Sequence, residues 1–346
     1  MPNEVLTKAI DALAARRDLS ADESAEVLAE IMHGEVSETQ IAAFLIALRT
    51  KGETIQELAG LARTMRELAA HVPTARTDLL DTSGTGGGLR TFNVSTTAAL
   101  IAAGAGCAVA KHGNRSATSP CGSADVLEAL GARIDLDPVG VAGCIEEAGF
   151  GFMFAPAHHQ ATRFVVPVRK ELGVRTVFNL LGPLTNPAGA SRQLIGVSDP
   201  AFLETVAGAL ACLGVEHALV VSSEDGLDEI STSAATRVIE VRGDELRAYT
   251  LAPNDVGIAL APRDYEGGSP EQNAQVTRAI LAGEQGPRAD LALINAGAAI
   301  YVGGAADSVA EGVERARAAL AEGDAAQALE SYVQASQRHA PAGAPS

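Results

Sequence analysis

The residues best placed for chemistry begin at Asp81, where DTSGTGGGLRTFNVSTTAALIAAG sets Gly84, Thr85, Gly86, Gly87 and Gly88 between a short strand and Asn93, Ser95 and Thr96. Glycines let backbone N–H groups approach a bound group closely, and a helix opening at Asn93–Thr96 adds partial positive charge, so the arrangement suits a phosphate or pyrophosphate. It is neither a P-loop, because no Gly-Lys-Ser/Thr follows, nor the G-x-G-x-x-G of a dinucleotide fold. A mere tight connection is the plain alternative.

Three further clusters add complementary chemistry. Lys111-His112-Gly113-Asn114-Arg115 follows a strand and precedes Ser116, Thr118 and Ser119, with Gly122-Ser123 opening another helix. Carboxyl ends of strands are where open α/β sheets bind ligands. A basic stretch then carries His158, His159, Arg163, Arg169, Lys170 and Arg175 ahead of GPLTNP. An arginine among apolar residues suits the carboxylate of an aromatic ligand, since its fork pairs with both oxygens. The His-His pair lacks acidic partners at ligand spacing and is a poor zinc site. Finally, Asp225, Asp228 and Glu229 follow an apolar run, the pattern of a hard-cation site completed by substrate phosphates.

The elements that must position these groups fall into two textures. Three helix starts, Ser20 with Glu23, Ser37 with Gln40 and Thr54 with Glu57, each precede apolar residues at helical spacing, which predicts a small helical domain over residues 1–72. From residue 73 to about 338, short apolar runs alternate with Ala-rich helical stretches, which predicts an α/β domain with a central sheet flanked by helices. The expected strands are Leu79–Leu80, Cys107–Ala110, Leu194–Val197, Ala218–Val221, Val238–Val241 and Leu291–Ile294. The expected helices are Thr96–Ala103, Ser123–Leu130, Pro138–Ala148, Ala201–Leu213, Pro270–Ala282 and Ser308–Ala319. The tail His339–Ser346 reads as loose, and helices from about 165–185 are expected to join the small domain.

Composition narrows the classes. The 346 residues carry 26 Lys and Arg against 43 Asp and Glu, a net charge of −17 that disfavours nucleic-acid binding and anionic membranes. The longest small-apolar run, Ala98–Ala110, is far shorter than the ~20 residues of a membrane span. Cys107, Cys121, Cys144 and Cys212 are irregularly spaced, as expected of reduced thiols in a cytoplasmic protein.

Taken in order, GTGG, NVST, KHGNR, VPVR, NLLGPLTNP and DGLDE resemble the anthranilate phosphoribosyltransferase family of tryptophan biosynthesis, over most of the chain to about residue 330. The resemblance implies a phosphoribosyltransferase-type α/β fold, a homodimer and Mg²⁺. It also implies transfer of the phosphoribosyl group of phosphoribosyl pyrophosphate to anthranilate's amino group. By motif position it places the donor on Gly84, Gly87, Gly88, Thr91, Asn93, Val94, Ser95 and Thr96, and on the loop Lys111, His112, Gly113, Asn114, Arg115, Ser116, Ala117, Thr118 and Ser119 with Ser123. It places anthranilate at Gly84, Asn114 and Arg169 with His112 and His159 on its path, the cation at Ser95, Asp228 and Glu229, and catalysis on Lys111, Arg169, Asp228 and Glu229. One departure stands out: the family's GTGGD-G reads GTGGGLRTFN here, with Gly88 where an Asp is usual and the loop one residue shorter. The helical domain is expected to close over the cleft. Two other readings remain open on sequence alone, a pyrimidine nucleoside phosphorylase-like enzyme and a non-catalytic phosphoribosyl pyrophosphate-binding regulator.

Overall fold

A computed structural model describes residues 2–116 and 120–340. The expectations for Ala117, Thr118, Ser119 and the tail beyond Ala340 therefore lie outside the described residues. The chain opens with α1 (Glu4–Ala14), α2 (Ala21–His33), α3 (Glu38–Lys51) and α4 (Ile55–Glu67). The boxes at Ser20/Glu23 and Thr54/Glu57 form reciprocally. At Ser37 only the hydroxyl caps, because the Gln40 amide instead exchanges hydrogen bonds with the Asn3 backbone at 3.0 Å each way and so staples α3 to the start of α1.

The second part runs β1 (Leu80–Gly84), α5 (Val94–Gly104), β2 (Val109–Gly113), α6 (Ser123–Ala129), α7 (Pro138–Ala148), β3 (Phe150–Phe154) and α8 (Ala155–His158). It continues through α9 (Val166–Leu172), α10 (Phe178–Leu184), β4 (Arg192–Gly196), α11 (Leu203–Cys212), β5 (His217–Ser223), β6 (Thr236–Arg242) and β7 (Glu245–Leu251), and ends with α12 (Pro270–Leu281), α13 (Pro287–Val302), α14 (Val309–Ala321) and α15 (Asp324–Arg338). The strands form a seven-stranded sheet in the order β3-β2-β1-β4-β5-β6-β7. The first five in that order run parallel, β6 runs antiparallel to β5, and β7 antiparallel to β6. Alternation along each strand divides two cores. Leu194, Leu219 and Val238 face α5 and α13, while their neighbours Ile195, Val220 and Ile239 face α11 and the cluster that also holds the first four helices, α9 and α10.

The structure corrects four expectations. Leu291–Ile294 is part of α13, not a strand; all four side chains are buried, and an element apolar all round leaves no period to separate helix from strand. Strands β3 and β7 were not anticipated: β3 follows α7 after a single residue, and β7 is a mostly exposed edge without a contiguous apolar run. His339 is held in place, its Nε2 2.6 Å from Glu147 Oε1. The homodimer expectation offered Leu6, Ile10 and Phe44 of the first helices to a second subunit, but Leu6 and Phe44 are buried within their own chain and Ile10 is partly so.

Candidate active site

The parallel strands β1 and β2 end at one side of the sheet, and a cavity of about 1090 Å³ opens there. Its floor is built by close backbone approach. Gly84 pairs with Gly196 across β1 and β4, and Thr85 N–H continues the ladder to the Gly196 carbonyl at 2.9 Å. A Cβ on Gly196 would lie 1.6 Å from the Asp228 carbonyl oxygen, so only glycine lets the Asp228 turn cross here. Gly86 and Gly87 hold φ of 65° and 79°, the left-handed region that favours glycine. Gly86 N–H donates to Asp228 Oδ2 at 3.1 Å, and a Cβ on Gly88 would meet Asp228 Oδ1 at 2.9 Å. The loop thus wraps over a carboxylate, with its smallest residues at the contact points.

Asn93 precedes α5 but its side chain does not cap the helix. It donates instead to the Cys121 carbonyl and accepts from Asn273 Nδ2 at 2.9 Å. The α5 N-terminus therefore faces the cavity with its dipole unspent by a side-chain cap.

The charged groups are buried and mutually perturbed. Lys111, only 1% exposed, points Nζ at the Thr82 carbonyl, Thr82 Oγ1 (3.1 Å) and Ser95 Oγ (3.4 Å). Burial lowers its pKa to about 8 against the opposing pull of Asp81 and Glu229. Burial, followed by the charge of Asp228, raises Glu229 to about 8, with Lys111 and the Ser95 backbone N–H opposing. Burial also raises Asp228. Two neighbouring buried carboxyls held back from ionisation are groups that a nearby cation would ionise. Among the described residues no cluster of three or more His, Cys, Asp or Glu side chains forms a closed metal cage. The pair fits Mg²⁺ bound through one or two carboxylates and completed by phosphate oxygens.

On the opposite wall, burial lowers His112 to about 3 and His159 to about 4, so both imidazoles are neutral. Their rings meet edge-on at 5.1 Å. His112 Nδ1 lies 3.2 Å from the Gly182 carbonyl, which puts the proton on Nδ1 and leaves the buried, unpartnered Nε2 as an acceptor. Arg169 from α9 stacks its guanidinium 5.3 Å from the Phe178 ring. Burial alone lowers its pKa, and no carboxylate among the described residues compensates. A half-buried guanidinium on an aromatic ring, so placed, suits a ligand carboxylate.

Comparison with known proteins decides the family. The model of the glycosyl transferase family helical-bundle domain matches residues 7–69, and that of the family's a/b domain matches residues 76–326. The anthranilate phosphoribosyltransferase of Symbiobacterium thermophilum is 52% identical over 92% of this chain and 94% of its own. That of Rubrobacter xylanophilus is 52% identical over 98% and 100%. The chain belongs to the anthranilate phosphoribosyltransferase family. The Thermus thermophilus anthranilate phosphoribosyltransferase superposes with a TM-score of 0.90 at 48% identity, covering 95% of this chain and 99% of that one. The Saccharomyces cerevisiae anthranilate phosphoribosyltransferase, solved in complex with PRPP and Mg, superposes at 0.88 with 26% identity, covering 97% and 99%. These likenesses support the transferase reading over the phosphorylase and regulator alternatives.

Every site residue expected from the family motifs that falls among the described residues lines this one cavity. Arg115 does so with its guanidinium already held by Asp125 (2.7 Å) and Glu128 (2.5 Å), so its charge is largely met by protein. Ser123 Oγ turns back to the Asn114 carbonyl at 3.3 Å. Two supporting residues escaped sequence reasoning. Asp81, fully buried, accepts from His112 N–H (3.1 Å) and Asn186 Nδ2 (2.8 Å) and so fixes the end of β2. Asn273 braces Asn93 from 180 residues away, and no local pattern announces it. Arg175 was visible only as one of several basic residues.

Proposed function

We infer that the chain transfers the phosphoribosyl group of phosphoribosyl pyrophosphate to the amino group of anthranilate, giving N-(5-phosphoribosyl)anthranilate and pyrophosphate, the second step of tryptophan biosynthesis from chorismate. The observation that carries this reading is the unpaired Arg169 guanidinium in the same cavity as the glycine loop, Lys111 and the Asp228–Glu229 pair. A carboxylate receptor and a polyanion cradle together define an acceptor and a donor.

The anthranilate nitrogen attacks C1 of the ribose as the C1–O bond to pyrophosphate breaks, and the nitrogen then passes one proton to the released pyrophosphate or to water. No protein nucleophile is required. Arg169 pairs with the anthranilate carboxylate and turns the amine toward C1. His112 Nε2 accepts a hydrogen bond from that amine. Lys111, the α5 N-terminus with Ser95 and Thr96, and the amides of Gly87 and Gly88 meet the donor's charge by position rather than by bulk charge. Asp228, Glu229 and Ser95 would hold Mg²⁺, which would supply positive charge against that of the leaving pyrophosphate. Gly84 and Asn114 border the acceptor's place. Gly88 supplies a backbone amide and no second carboxylate.

Helices α1–α4 form the smaller unit and close on the cleft, which keeps water from the reacting sugar. A cytoplasmic homodimer is the assembly proposed. With Leu6 and Phe44 inside the chain, the apolar surface left on the first helices includes Ile46, 38% exposed. Light scattering checks the assembly, and a monomer mass refutes it. Loss of anthranilate fluorescence with donor and Mg²⁺ tests the activity; phosphorolysis of uridine or thymidine without it would refute the reading.

A further inference from the structure

We propose that Arg175 is a positioning residue for the phosphoribosyl donor, aiming the amides of the glycine loop at the pyrophosphate. The proposal rests on the transferase reading of the cavity. Arg175 lies between α9 and α10, outside the donor motifs. Its Nη2 donates to the Gly86 carbonyl at 2.6 Å and to the Thr85 carbonyl at 3.4 Å. Both Nη1 and Nη2 reach Ser198 Oγ at 3.1 Å. Ser198 closes the clamp: Oγ donates to the same Gly86 carbonyl at 2.9 Å, and its N–H to Thr85 Oγ1 at 3.1 Å. The guanidinium is pressed against the loop, since a Cβ on Gly87 would lie 2.8 Å from Nη1.

Peptide planarity turns this clamp into a direction. In a trans peptide the carbonyl and the following N–H point opposite ways, so holding the Gly86 carbonyl on Arg175 and Ser198 turns Gly87 N–H away from them. Gly86 N–H is already fixed on Asp228 Oδ2. With φ positive at both Gly86 and Gly87, nothing in the loop's own sterics would hold that orientation. Successive oriented amides of this kind bind anions. The Arg175 carbonyl in turn accepts from Arg49 Nη1 of α3 at 2.7 Å, which anchors the clamp to the helical unit.

The test measures binding of phosphoribosyl pyrophosphate with Mg²⁺ by calorimetry, and the two Michaelis constants by anthranilate fluorescence, on the full chain. Arg175→Ala is expected to weaken donor binding and raise the donor KM about tenfold, with the anthranilate KM within about twofold. Methylguanidinium at millimolar concentration should recover part of the loss. Arg175→Lys keeps the charge but cannot span two carbonyls and Ser198 Oγ, so it should weaken donor binding to an intermediate degree; it serves the same test should the alanine variant not fold. Ser198→Ala should also weaken the donor, and the double variant should lose less than the product of the singles, because both act on one carbonyl. Unchanged donor binding in Arg175→Ala, an equal rise in both Michaelis constants, or full additivity with Ser198→Ala overturns the proposal. Donor binding is read without turnover, so a wild-type chain that binds donor but spares anthranilate would fail the transferase reading and leave the Arg175 test standing.

Discussion

Replacing Arg169 with alanine isolates the acceptor half of the site. Its guanidinium is half-buried, stacks 5.3 Å from Phe178 and has no carboxylate among the described residues to compensate the burial of its charge. A hydrogen-bonded charge pair contributes about 1.5–3 kcal/mol, and the upper part of that range applies where solvent screening is weak and the fork is bidentate. About 3 kcal/mol corresponds to a loss on the order of 100-fold in kcat/KM for anthranilate. Folding should change little, because the lost cation–π contact, about 0.5–2 kcal/mol, is offset by no longer burying an uncompensated charge. The assay is the fall of anthranilate fluorescence at saturating donor and Mg²⁺, with anthranilate varied, beside a thermal melt. The donor KM should stay within about twofold, and Arg169→Lys, which keeps charge without the fork, should fall between the alanine variant and wild type. An anthranilate kcat/KM within about threefold of wild type, or a donor KM that rises as steeply as the acceptor's, would refute the assignment.

Asp228→Asn and Glu229→Gln should each shift the Mg²⁺ titration of activity to at least about tenfold higher concentration; an unaltered titration sinks the metal assignment. Glu229, held up to about 8 by burial and Asp228, must release its proton to take a cation, whereas Lys111, lowered to about 8, loses its charge above that pH. Donor–Mg²⁺ affinity should therefore rise from pH 6 towards about 8 and fall beyond it, with net proton release near pH 7 in buffers of differing ionisation enthalpy; a flat profile contradicts this. The raised Glu229 carboxyl makes the ligand-free fold lose stability as pH climbs from the ordinary glutamate range through about 8, so ligand should lift the melting temperature more at pH 8 than at pH 6. Asn273→Ala removes the 2.9 Å donor to Asn93 and the 2.7 Å acceptor of Gly268 N–H, both part-buried, and should raise the donor KM about fivefold; a change only in the anthranilate KM would count against the brace. Gly196→Ala drives a Cβ into the Asp228 carbonyl and should abolish turnover even where the chain folds, as circular dichroism would show.

Local signals were legible wherever local physics dominates. The caps at Ser20 and Thr54 act within one turn, so residues three apart reveal them. The bounds of α7 follow from Asp137 and Pro138 at its start and Gly149 at its end. Buried strands such as β4 and β5 show themselves as apolar runs. The α13 segment was misread because full burial erases periodicity, and β7 because its apolar residues are interrupted by polar ones and form no contiguous run. The motifs that carry phosphate, metal and carboxylate chemistry were visible as glycines, charges and hydroxyls crowded within short loops.

What sequence alone determined is the chemical inventory: a glycine loop, a lysine and an arginine for anionic ligands, and two carboxylates for a cation, in a chain too acidic to recruit them by net charge. Tertiary structure decided their states and supports. Burial beneath the sheet brings Lys111 and Glu229 to about the same pKa of 8, which neither sequence position could disclose. Asn273, Asp81 and Arg175 reach the site across long stretches of chain, so their roles exist only once the parallel strands align their ends. Local residue types specify which bonds are available; dielectric and distance, both products of packing, specify which are used.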